Sequence, residues 1–279
     1  MFWGAVFASF VFLALYKEEI MNNIIFYFSG TGNSLKVVKT LAEKLGSGKI
    51  VSMAKSENYN MEESYNSVGF VYPTYCWGLP NIVRKFIENS KFDTNKTAYY
   101  YSVTTYGGIV GNGISQFKEL LFDKHSVALN YGTKLKMVGN HVLTYDMSKK
   151  TNKILADSEK RLEQIINDIK EKKNNKIKKS IKVFNTMYQK IMSDIPSMTR
   201  DYNVNENCKN CGICVKVCPV QNIEIVNGKH LFKNNCEQCL SCIHYCPEKA
   251  INYQNITQKR RRYHNPEISH EELIKYNNT

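Results

Sequence analysis

The sequence lacks an apolar run long enough to cross a membrane as a helix. Residues 2–16 form an uncharged, mostly apolar stretch of 15 residues. As a helix it would span about 22 Å, against the roughly 30 Å of a bilayer core. Proline and glycine are scarce, at 6 and 15 of 279 residues, which excludes a collagen-like chain. With 43% hydrophobic and 23% charged residues, polytopic membrane proteins and wholly disordered chains are excluded too.

The apolar stretch also lacks the basic residues that open a secretory signal. Met21 is followed directly by a strand pattern at residues 23–28. We therefore interpret residues 1–20 as an extension that precedes the true start of the protein at Met21. A weak membrane anchor or an extra buried element is the alternative. Recovery of the protein wholly in the soluble fraction would exclude the anchor.

Acidic residues are few relative to basic ones, 25 against 38, so the net charge is +13. The excess is localised: residues 149–190 contain 13 Lys and Arg against 5 Asp and Glu, and the run 259–262 adds four more. We interpret both segments as solvated surface and linker. An acidic protein partner, an anionic membrane surface or nucleic acid is the alternative. Because no nucleic-acid-binding motif is present, specific recognition of nucleic acid is not expected.

Alternating strand and helix patterns fill residues 21–148. Strands are predicted at 23–28, 49–53, 67–72, 97–103 and 134–139. Helices are predicted at 34–46, 80–90 and 113–123, where apolar residues recur with helical spacing. This alternation is typical of a parallel α/β sheet. Two further amphipathic helices, 151–172 and 181–195, lie in a basic connector at 149–201.

The first strand ends in a loop suited to hold a phosphate group. Its residues are Ser29, Gly30, Thr31, Gly32, Asn33 and Ser34. Glycines let the backbone approach an anion, hydroxyls donate hydrogen bonds, and the following helix adds unpaired amides. The loop lacks the Gly-Lys-Thr ending of a nucleotide P-loop and the full dinucleotide glycine pattern. A terminal monophosphate is therefore the predicted ligand, with a plain glycine-rich turn as the alternative.

Two other strands end in loops that combine aromatic residues with glycine. The third strand leads into Thr74, Tyr75, Cys76, Trp77 and Gly78, and the fourth into Thr105, Tyr106 and Gly107. In a doubly wound sheet of order 2-1-3-4-5, the crevice between strands 1 and 3 is where FMN binds. The alternatives are a loop that caps the core and a simple turn. We interpret Cys76 as a packing thiol, with a redox role as the alternative.

Residues 21–145 resemble a flavodoxin-type FMN domain, chiefly through the segment Ser29–Ser34. The resemblance implies a doubly wound, parallel, five-stranded sheet in which that segment holds the FMN phosphate. It also implies a ring-side border formed by Thr74, Tyr75, Trp77, Gly78, Thr105, Tyr106 and Gly107. Tyr75, Trp77 and Tyr106 are the candidates for stacking on the isoalloxazine ring.

Eight of the nine cysteines lie between residues 208 and 246. They form two runs of Cys-x2-Cys-x2-Cys-x3-Cys-Pro, the second 28 residues after the first. This is the spacing of bacterial [4Fe–4S] proteins, in which the fourth cysteine ligates the other cluster. We assign one cluster to Cys208, Cys211, Cys214 and Cys246, and the other to Cys236, Cys239, Cys242 and Cys218. Zinc, the alternative, does not explain the third cysteine of each run or the prolines.

Residues 202–255 resemble a two-cluster ferredoxin, which implies a small α+β domain with short strands at 222–226 and 250–252. A basic, polar tail follows at 256–279. The whole pattern resembles the flavodoxin–ferredoxin fusion proteins of anaerobic bacteria and archaea. Because iron–sulfur clusters need a reducing interior, a cytoplasmic location is expected.

Three functions are compatible with these features. The first is an electron-transfer protein that passes electrons between FMN and two [4Fe–4S] clusters and on to a redox protein, with an acidic surface as one option. The second is an FMN-dependent oxidoreductase that reduces a small substrate such as a quinone, with Tyr75, Tyr106 or Cys76 as proton donor. The third is a redox sensor that binds a partner through residues 149–190. The lack of an NAD(P) fingerprint and of an acid–base constellation favours the first, but whether the chain is an enzyme stays open.

Overall fold

A computed structural model describes residues 22–46, 48–56, 58–97 and 99–277 of the chain. The N-terminal extension, residues 1–20, lies outside the described residues. Five parallel strands form the central sheet: β1 (Asn23–Tyr27), β2 (Gly48–Ser52), β3 (Ser67–Pro73), β4 (Tyr100–Tyr106) and β5 (Tyr131–Lys136). Their order across the sheet is β2-β1-β3-β4-β5. The predicted parallel, doubly wound arrangement is therefore confirmed.

The fourth and fifth strands begin at residues other than those predicted. β4 covers Tyr100–Tyr106 rather than 97–103, and β5 covers Tyr131–Lys136 rather than 134–139. In β5, Tyr131, Thr133 and Leu135 are buried while the residues between them are partly or fully exposed, as expected for a strand with one covered face. Residues 137–140 consequently lie beyond the carboxyl end of the sheet.

Alternate strand residues supply two apolar cores, one on each face of the sheet. Ile24 and Phe26 point into the first core, which lies under helices α2 (Asn81–Asn89) and α3 (Gly113–His125). Ile25 and Tyr27 point into the second core, under helices α1 (Asn33–Lys44) and α4 (Thr151–Lys170). Each such buried side chain contributes about 1.5–3 kcal/mol, so the sheet is a firm support for the loops at its carboxyl edge.

The basic connector is divided between two structural roles. The apolar stripe of α4, which includes Leu162, Ile165 and Ile169, packs in the same core as Tyr131 and Leu135 of β5. Half of the connector thus covers the sheet. The second half forms α5 (Lys182–Asp194), whose Tyr188 hydroxyl donates to the carbonyl of Leu79. A 3₁₀ segment, Ile195–Asp201, leads from α5 into the cysteine-rich region.

The cysteine-rich region folds as a small α+β unit. It contains two antiparallel pairs and two single-turn helices: β6 (Tyr202–Val204) with β9 (Ile251–Tyr253), β7 (Ile223–Val226) with β8 (Lys229–Phe232), α6 (Ile213–Lys216) and α7 (Ser241–His244). Its apolar core also takes in Val138, Val142 and Met147, which follow β5. The unit therefore shares a core with the end of the parallel sheet.

The tail returns to the parallel sheet after the cysteine-rich unit. Its helix α8 (His270–Asn277) follows Ile268, which is buried in the second core together with Leu273. Lys36 and Lys39 of α1 form ion pairs with Glu267 and Glu272 of the tail. The tail thereby fixes the cysteine-rich unit against the first helix of the sheet domain.

Candidate functional site

The predicted phosphate loop lies between β1 and α1. Ser29, Thr31 and Ser34 are buried, and Gly32 precedes the helix with a φ of 87°, a value that favours glycine. No side chain caps the helix. Within the described part of the chain, the amides of Asn33 and Ser34 have no hydrogen-bond acceptor. Such amides at a helix start attract an anion.

The hydroxyls of the loop are held by neighbours. The Ser29 hydroxyl accepts from the Gly32 amide at 3.1 Å, and the Ser34 and Thr105 hydroxyl oxygens are 2.9 Å apart. The Thr31 hydroxyl oxygen accepts from Asn140 Nδ2 at 2.8 Å, which leaves the hydroxyl hydrogen available to a ligand.

Asn33 ties the loop to the rest of the protein. Its amide nitrogen donates to the carbonyl of Val138 at 3.0 Å. Its amide oxygen accepts from the Tyr263 hydroxyl at 2.7 Å and from Asn265 Nδ2 at 3.3 Å. The backbone amide of Asn265 donates to the carbonyl of Thr31 at 2.8 Å. The tail therefore supports the loop directly, a role that no sequence motif indicated.

A cavity opens at the carboxyl edge of the sheet beside the phosphate loop. Its lining includes most of the predicted residues: Ser29, Gly30, Thr31, Asn33, Ser34, Thr74, Tyr75, Thr105, Tyr106 and Gly107. It also includes Pro73, Met137, Val138 and Asn140, which sequence reasoning missed. The last three were hidden because the predicted fifth strand, 134–139, placed them inside the sheet or next to its end.

The loop after β3 contains a tight, strained turn. Tyr75 and Gly78 exchange backbone hydrogen bonds of 3.0 and 2.8 Å. Between them, Cys76 and Trp77 have φ values of 47° and 64°, a left-handed conformation that costs roughly 1–2 kcal/mol for such residues. A 2.7 Å hydrogen bond from the Asn112 amide to the Trp77 carbonyl helps to hold the turn.

The predicted ring-side residues are not all brought to the cavity. Trp77 lies outside it and is 42% exposed, and Gly78 packs against Tyr188 of α5 instead. Tyr75 and Tyr106 do line the cavity. The Tyr75 hydroxyl is buried and has no hydrogen-bond partner among the described residues. Burial, followed by nearby thiols and Glu237, raises the pKa of Tyr75 well above its usual range, so this phenol stays protonated and can donate.

The cavity fits FMN by its donor set. The lining offers buried hydroxyls and unpaired amides, which suit a phosphate. It also offers the Tyr75 hydroxyl, which lies beside Gly30 and needs an acceptor, and the ring of Tyr106. Such a combination of apolar walls with a few convergent polar groups is typical of a cofactor site.

The cysteine-rich unit contains two further cavities, each ringed by four cysteines. Cys208, Cys211, Cys214 and Cys246 line one, which we call the outer cavity. Cys218, Cys236, Cys239 and Cys242 line the other, the inner cavity. These are the two groups assigned from the spacing. Among the described residues, no group of three or more His, Cys, Asp or Glu is arranged to hold a single metal ion.

The two cysteine runs repeat the same local geometry. Left-handed φ values recur 28 residues apart in three pairs: Asn210 and Gln238, Gly212 and Leu240, Gln221 and Lys249. Backbone amides point at the sulfurs in both runs. The Asn210 and Gln238 amides donate to Cys208 and Cys236 at 3.4 and 3.2 Å, and the Asn222 and Ala250 amides donate to Cys218 and Cys246 at 3.2 and 3.3 Å. Such bonds stabilise cluster-bound thiolates, so the donor set fits iron–sulfur clusters.

Burial strongly affects the thiols of these cavities. Desolvation is the largest cause that raises the pKa of Cys239 to about 12 and those of Cys236 and Cys214 to about 11. A cluster binds the thiolate form, so cluster binding displaces protons from these sulfurs.

The inner and outer cavities differ in their surroundings. The inner loop, Cys236–Cys242, packs against the sheet domain: Cys239 contacts Gly30 of the phosphate loop, and Glu237 accepts from the Ile82 amide at 3.2 Å, at the start of α2. The outer loop, Cys208–Cys214, exposes Cys211. The inner cavity therefore lies next to the FMN-type cavity, and the outer cavity lies towards the surface.

The basic segment 149–190 lies largely on the protein surface. Most lysines of the 149–190 segment are exposed, and Lys173 forms an ion pair with Asp168 at 2.7 Å. Among the described residues, no helix is both long enough and apolar enough to span a bilayer.

Comparisons with known proteins identify both parts of the chain. A family model described as a flavodoxin domain matches residues 24–121, and one described as a 4Fe-4S dicluster domain matches residues 200–247. A comparison with curated proteins gives no match.

Three solved structures illustrate the similarity to flavoproteins. A flavoprotein from Bacteroides uniformis is 16% identical over 41% of this chain and 89% of its own, with a TM-score of 0.33. A flavoprotein from Lactobacillus acidophilus in complex with FMN is 10% identical over 41% and 93%, with a TM-score of 0.34. An FMN-dependent NADH-azoreductase from Bacillus anthracis in complex with FMN is 10% identical over 53% and 99%, with a TM-score of 0.35.

Both matched domains are redox modules, one for FMN and one for iron–sulfur clusters. The chain therefore combines a segment that matches a flavodoxin domain with one that matches a 4Fe-4S dicluster domain, and both matches support a redox role.

Proposed function

We propose that this protein passes electrons between FMN and two [4Fe–4S] clusters within one chain and exchanges them with a separate redox protein. The observation that carries the proposal is the order of the three cavities. The inner cavity contacts the phosphate loop through Cys239, and the outer cavity has an exposed cysteine at Cys211. This order supports a path from the protein surface through two clusters to the flavin.

The residues of each proposed site have distinct tasks. The Ser29–Ser34 segment would bind the FMN phosphate, and Thr74, Tyr75, Thr105, Tyr106 and Gly107 would border the ring. The outer cluster would be held by Cys208, Cys211, Cys214 and Cys246, and the inner cluster by Cys218, Cys236, Cys239 and Cys242. These sites divide between a sheet domain at 21–148 and a ferredoxin-type domain at 202–255, with the connector 149–201 between them and the tail 256–279 after them.

The bound groups supply the electron chemistry: FMN takes up one or two electrons, and each cluster takes up one. The chain's own residues position the sites and exclude water. Tyr202 and Leu240 are buried beside the inner cavity. Because the domains share a chain and an apolar core, each site meets the other at a high effective concentration.

The outer loop is the proposed contact for the redox partner. Lys209 lies in the loop, Lys229 begins β8 and Lys249 lies three residues after Cys246; all three are exposed. A partner with an acidic rim around its own cofactor would be steered to this surface, with a rate that falls as salt rises. The reducing conditions that clusters require support a cytoplasmic location.

Anaerobic purification of residues 21–279 followed by a redox titration tests the proposal. We expect about eight iron and about eight sulfide per chain, as two [4Fe–4S] clusters require, together with one FMN. Absorbance and EPR should show that electrons added to the clusters reach the flavin. Eight iron atoms without flavin, or flavin and clusters that never exchange electrons, would contradict the proposal.

A further inference from the structure

The phosphate loop and the inner cysteine loop are in backbone contact at Gly30. A Cβ added to Gly30 would lie 2.5 Å from the carbonyl oxygen of Cys239 and 3.1 Å from its Cβ. The first distance is shorter than any real Cβ contact, so no other residue fits without movement. Gly30 is not among the residues with a positive φ. Its lack of a side chain therefore provides space for Cys239 rather than an unusual backbone conformation.

Ser241 links the same two loops by its hydroxyl. The side chain is buried, and its oxygen lies 2.5 Å from the carbonyl oxygen of Gly30 and 3.3 Å from the sulfur of Cys239. The hydroxyl has one hydrogen. Once the Cys239 sulfur is a thiolate in a cluster, it carries no hydrogen, so the Gly30 carbonyl and the sulfur compete for the single hydroxyl hydrogen of Ser241. A change of charge at the Cys239 sulfur therefore alters the hydrogen bond from Ser241 to Gly30 in the phosphate loop.

The repeated geometry of the outer loop shows that the cysteine loop itself does not require this hydroxyl. The residue 28 positions before Ser241 is Ile213. It occupies the corresponding helix start, α6, and packs against the second apolar core. The serine is therefore specific to the loop that faces the flavodoxin domain, where it has an acceptor on each side.

We propose that Gly30 and Ser241 form the electron-transfer junction between the inner cluster and FMN. Gly30 acts by admitting the Cys239 backbone, and Ser241 is a positioning residue that bridges the Cys239 sulfur and the phosphate loop. This inference rests on the proposed function, which it deepens by naming the contact. A hydrogen bond to a cluster sulfur offsets the negative charge gained on reduction, so Ser241 also makes the inner cluster easier to reduce.

The electron balance of the step is simple. One electron leaves the reduced inner cluster, which returns to its oxidised state, and enters the flavin. Two such transfers, with two protons from water, complete the two-electron reduction of the flavin. The redox protein that docks at the outer loop supplies each electron through the outer cluster.

Three variants of the full holoprotein test the junction. Ser241→Ala removes the hydroxyl, and Gly30→Ala adds the Cβ that collides with Cys239. Tyr263→Phe is the matched control, because the hydroxyl that it removes bonds Asn33 in the same phosphate loop rather than Cys239 or Ser241. For each variant, we would measure iron and FMN content, FMN affinity by fluorescence, the reduction potential and EPR signal of the inner cluster, and the cluster-to-flavin rate after flash reduction.

We expect the inner cluster potential and the FMN affinity to change in different variants. Ser241→Ala should make the inner cluster potential more negative and slow the transfer on the order of 10-fold, as for other residues that support a metal ligand, with FMN affinity unchanged. Gly30→Ala should slow it on the order of 10- to 100-fold, because it displaces the loops by a fraction of an ångström or more. Tyr263→Phe should weaken FMN binding roughly 2- to 13-fold, the loss of one ordinary hydrogen bond, and leave the cluster potential unchanged.

Different results would overturn different claims. If Ser241→Ala keeps the wild-type potential, EPR signal and transfer rate, the junction is wrong while the proposed function stands. If Gly30→Ala fails to fold, the Ser241→Ala potential still decides. If the wild-type protein holds all cofactors but shows no transfer between them, the proposed function itself fails.

Discussion

The two cysteine runs have the same spacing and the same backbone, yet they meet different surroundings. The outer loop exposes Lys209 and Cys211, whereas the inner loop buries Glu237 and Cys239 against the flavodoxin domain. The cysteines and the left-handed turns are common to both loops and serve the clusters. The residues between the cysteines differ, and they determine what each loop docks on.

The contrast is sharpest at the first position after each leading cysteine. Lys209 is exposed at the mouth of the outer cavity. Its counterpart Glu237 is 4% exposed and caps the start of α2 through the Ile82 amide. One duplicated loop has thus been adapted to an internal partner, while the other remains open to an external one.

Removing one cysteine from each loop should have the largest effect on iron content and on flavin reduction. Cys211→Ser should lower iron to about four per chain, while FMN stays bound and the inner cluster still reduces it. Cys239→Ser should abolish the transfer of electrons from clusters to flavin, because the inner cluster lies between the other two sites. Iron analysis and stopped-flow reduction of the flavin check both. Equal flavin reduction rates in the two variants would contradict the order of the cavities.

Reversing the charge at the paired positions should have the next largest effect. Glu237→Lys buries an unpaired cation and removes the helix cap, at a cost of about 3–5 kcal/mol. At roughly 2–4 °C per kcal/mol, the anaerobic melting temperature should fall by roughly 6–20 °C. Lys209→Glu is exposed and should change stability by less than about 0.5 kcal/mol, but it should slow electron exchange with an acidic redox protein. Glu237→Gln, which keeps an acceptor, is the control; a similar loss in Lys209→Glu would be inconsistent with an exposed outer loop.

Replacing the second residue after each leading cysteine, Asn210 or Gln238, with glycine should have the smallest effect on stability. Asn210 and Gln238 share a left-handed φ near 50°, which glycine adopts freely. Asn210→Gly should therefore change stability by less than about 0.5 kcal/mol. Gln238→Gly should cost about 1–2 kcal/mol, because Gln238 bonds His141 and Met198 at 3.3 and 3.0 Å. Denaturant titration under anaerobic conditions compares the pair, and equal costs would mean that these contacts contribute nothing.

Much of the fold follows from local sequence patterns. Apolar periodicity predicted the strands and helices, and the resemblance to a flavodoxin-type domain implied the strand order. The cysteine spacing predicted the two groups that the cavities bring together. The limits of β4 and β5 were predicted wrongly. In β5, Gly132 and the exposed Lys134 and Lys136 obscure the apolar pattern, and its buried face packs against α4. Which cysteine loop faces inward was beyond the pattern, since the two runs are identical in spacing.

The candidate site was likewise predicted only where its residues act locally. The Ser29–Ser34 segment was predicted because its hydroxyls and glycines act locally. Trp77 was predicted at the cavity but lies outside it, since the turn geometry and the contact with Asn112 direct the loop. Asn140 and Tyr263 were missed because single polar residues gain their role only through distant contacts with Thr31 and Asn33.

The support of Asn33 by Tyr263 has a consequence for biosynthesis. The two residues are 230 positions apart in the chain. At about 5–20 residues per second, the ribosome makes Tyr263 roughly 10–50 s after Asn33. The phosphate loop therefore waits for its last support until the entire cysteine-rich segment has emerged, and full-strength flavin retention is a property of the finished chain. The two kinds of cofactor can thus be inserted in order, because cluster insertion can begin before the flavin pocket is complete.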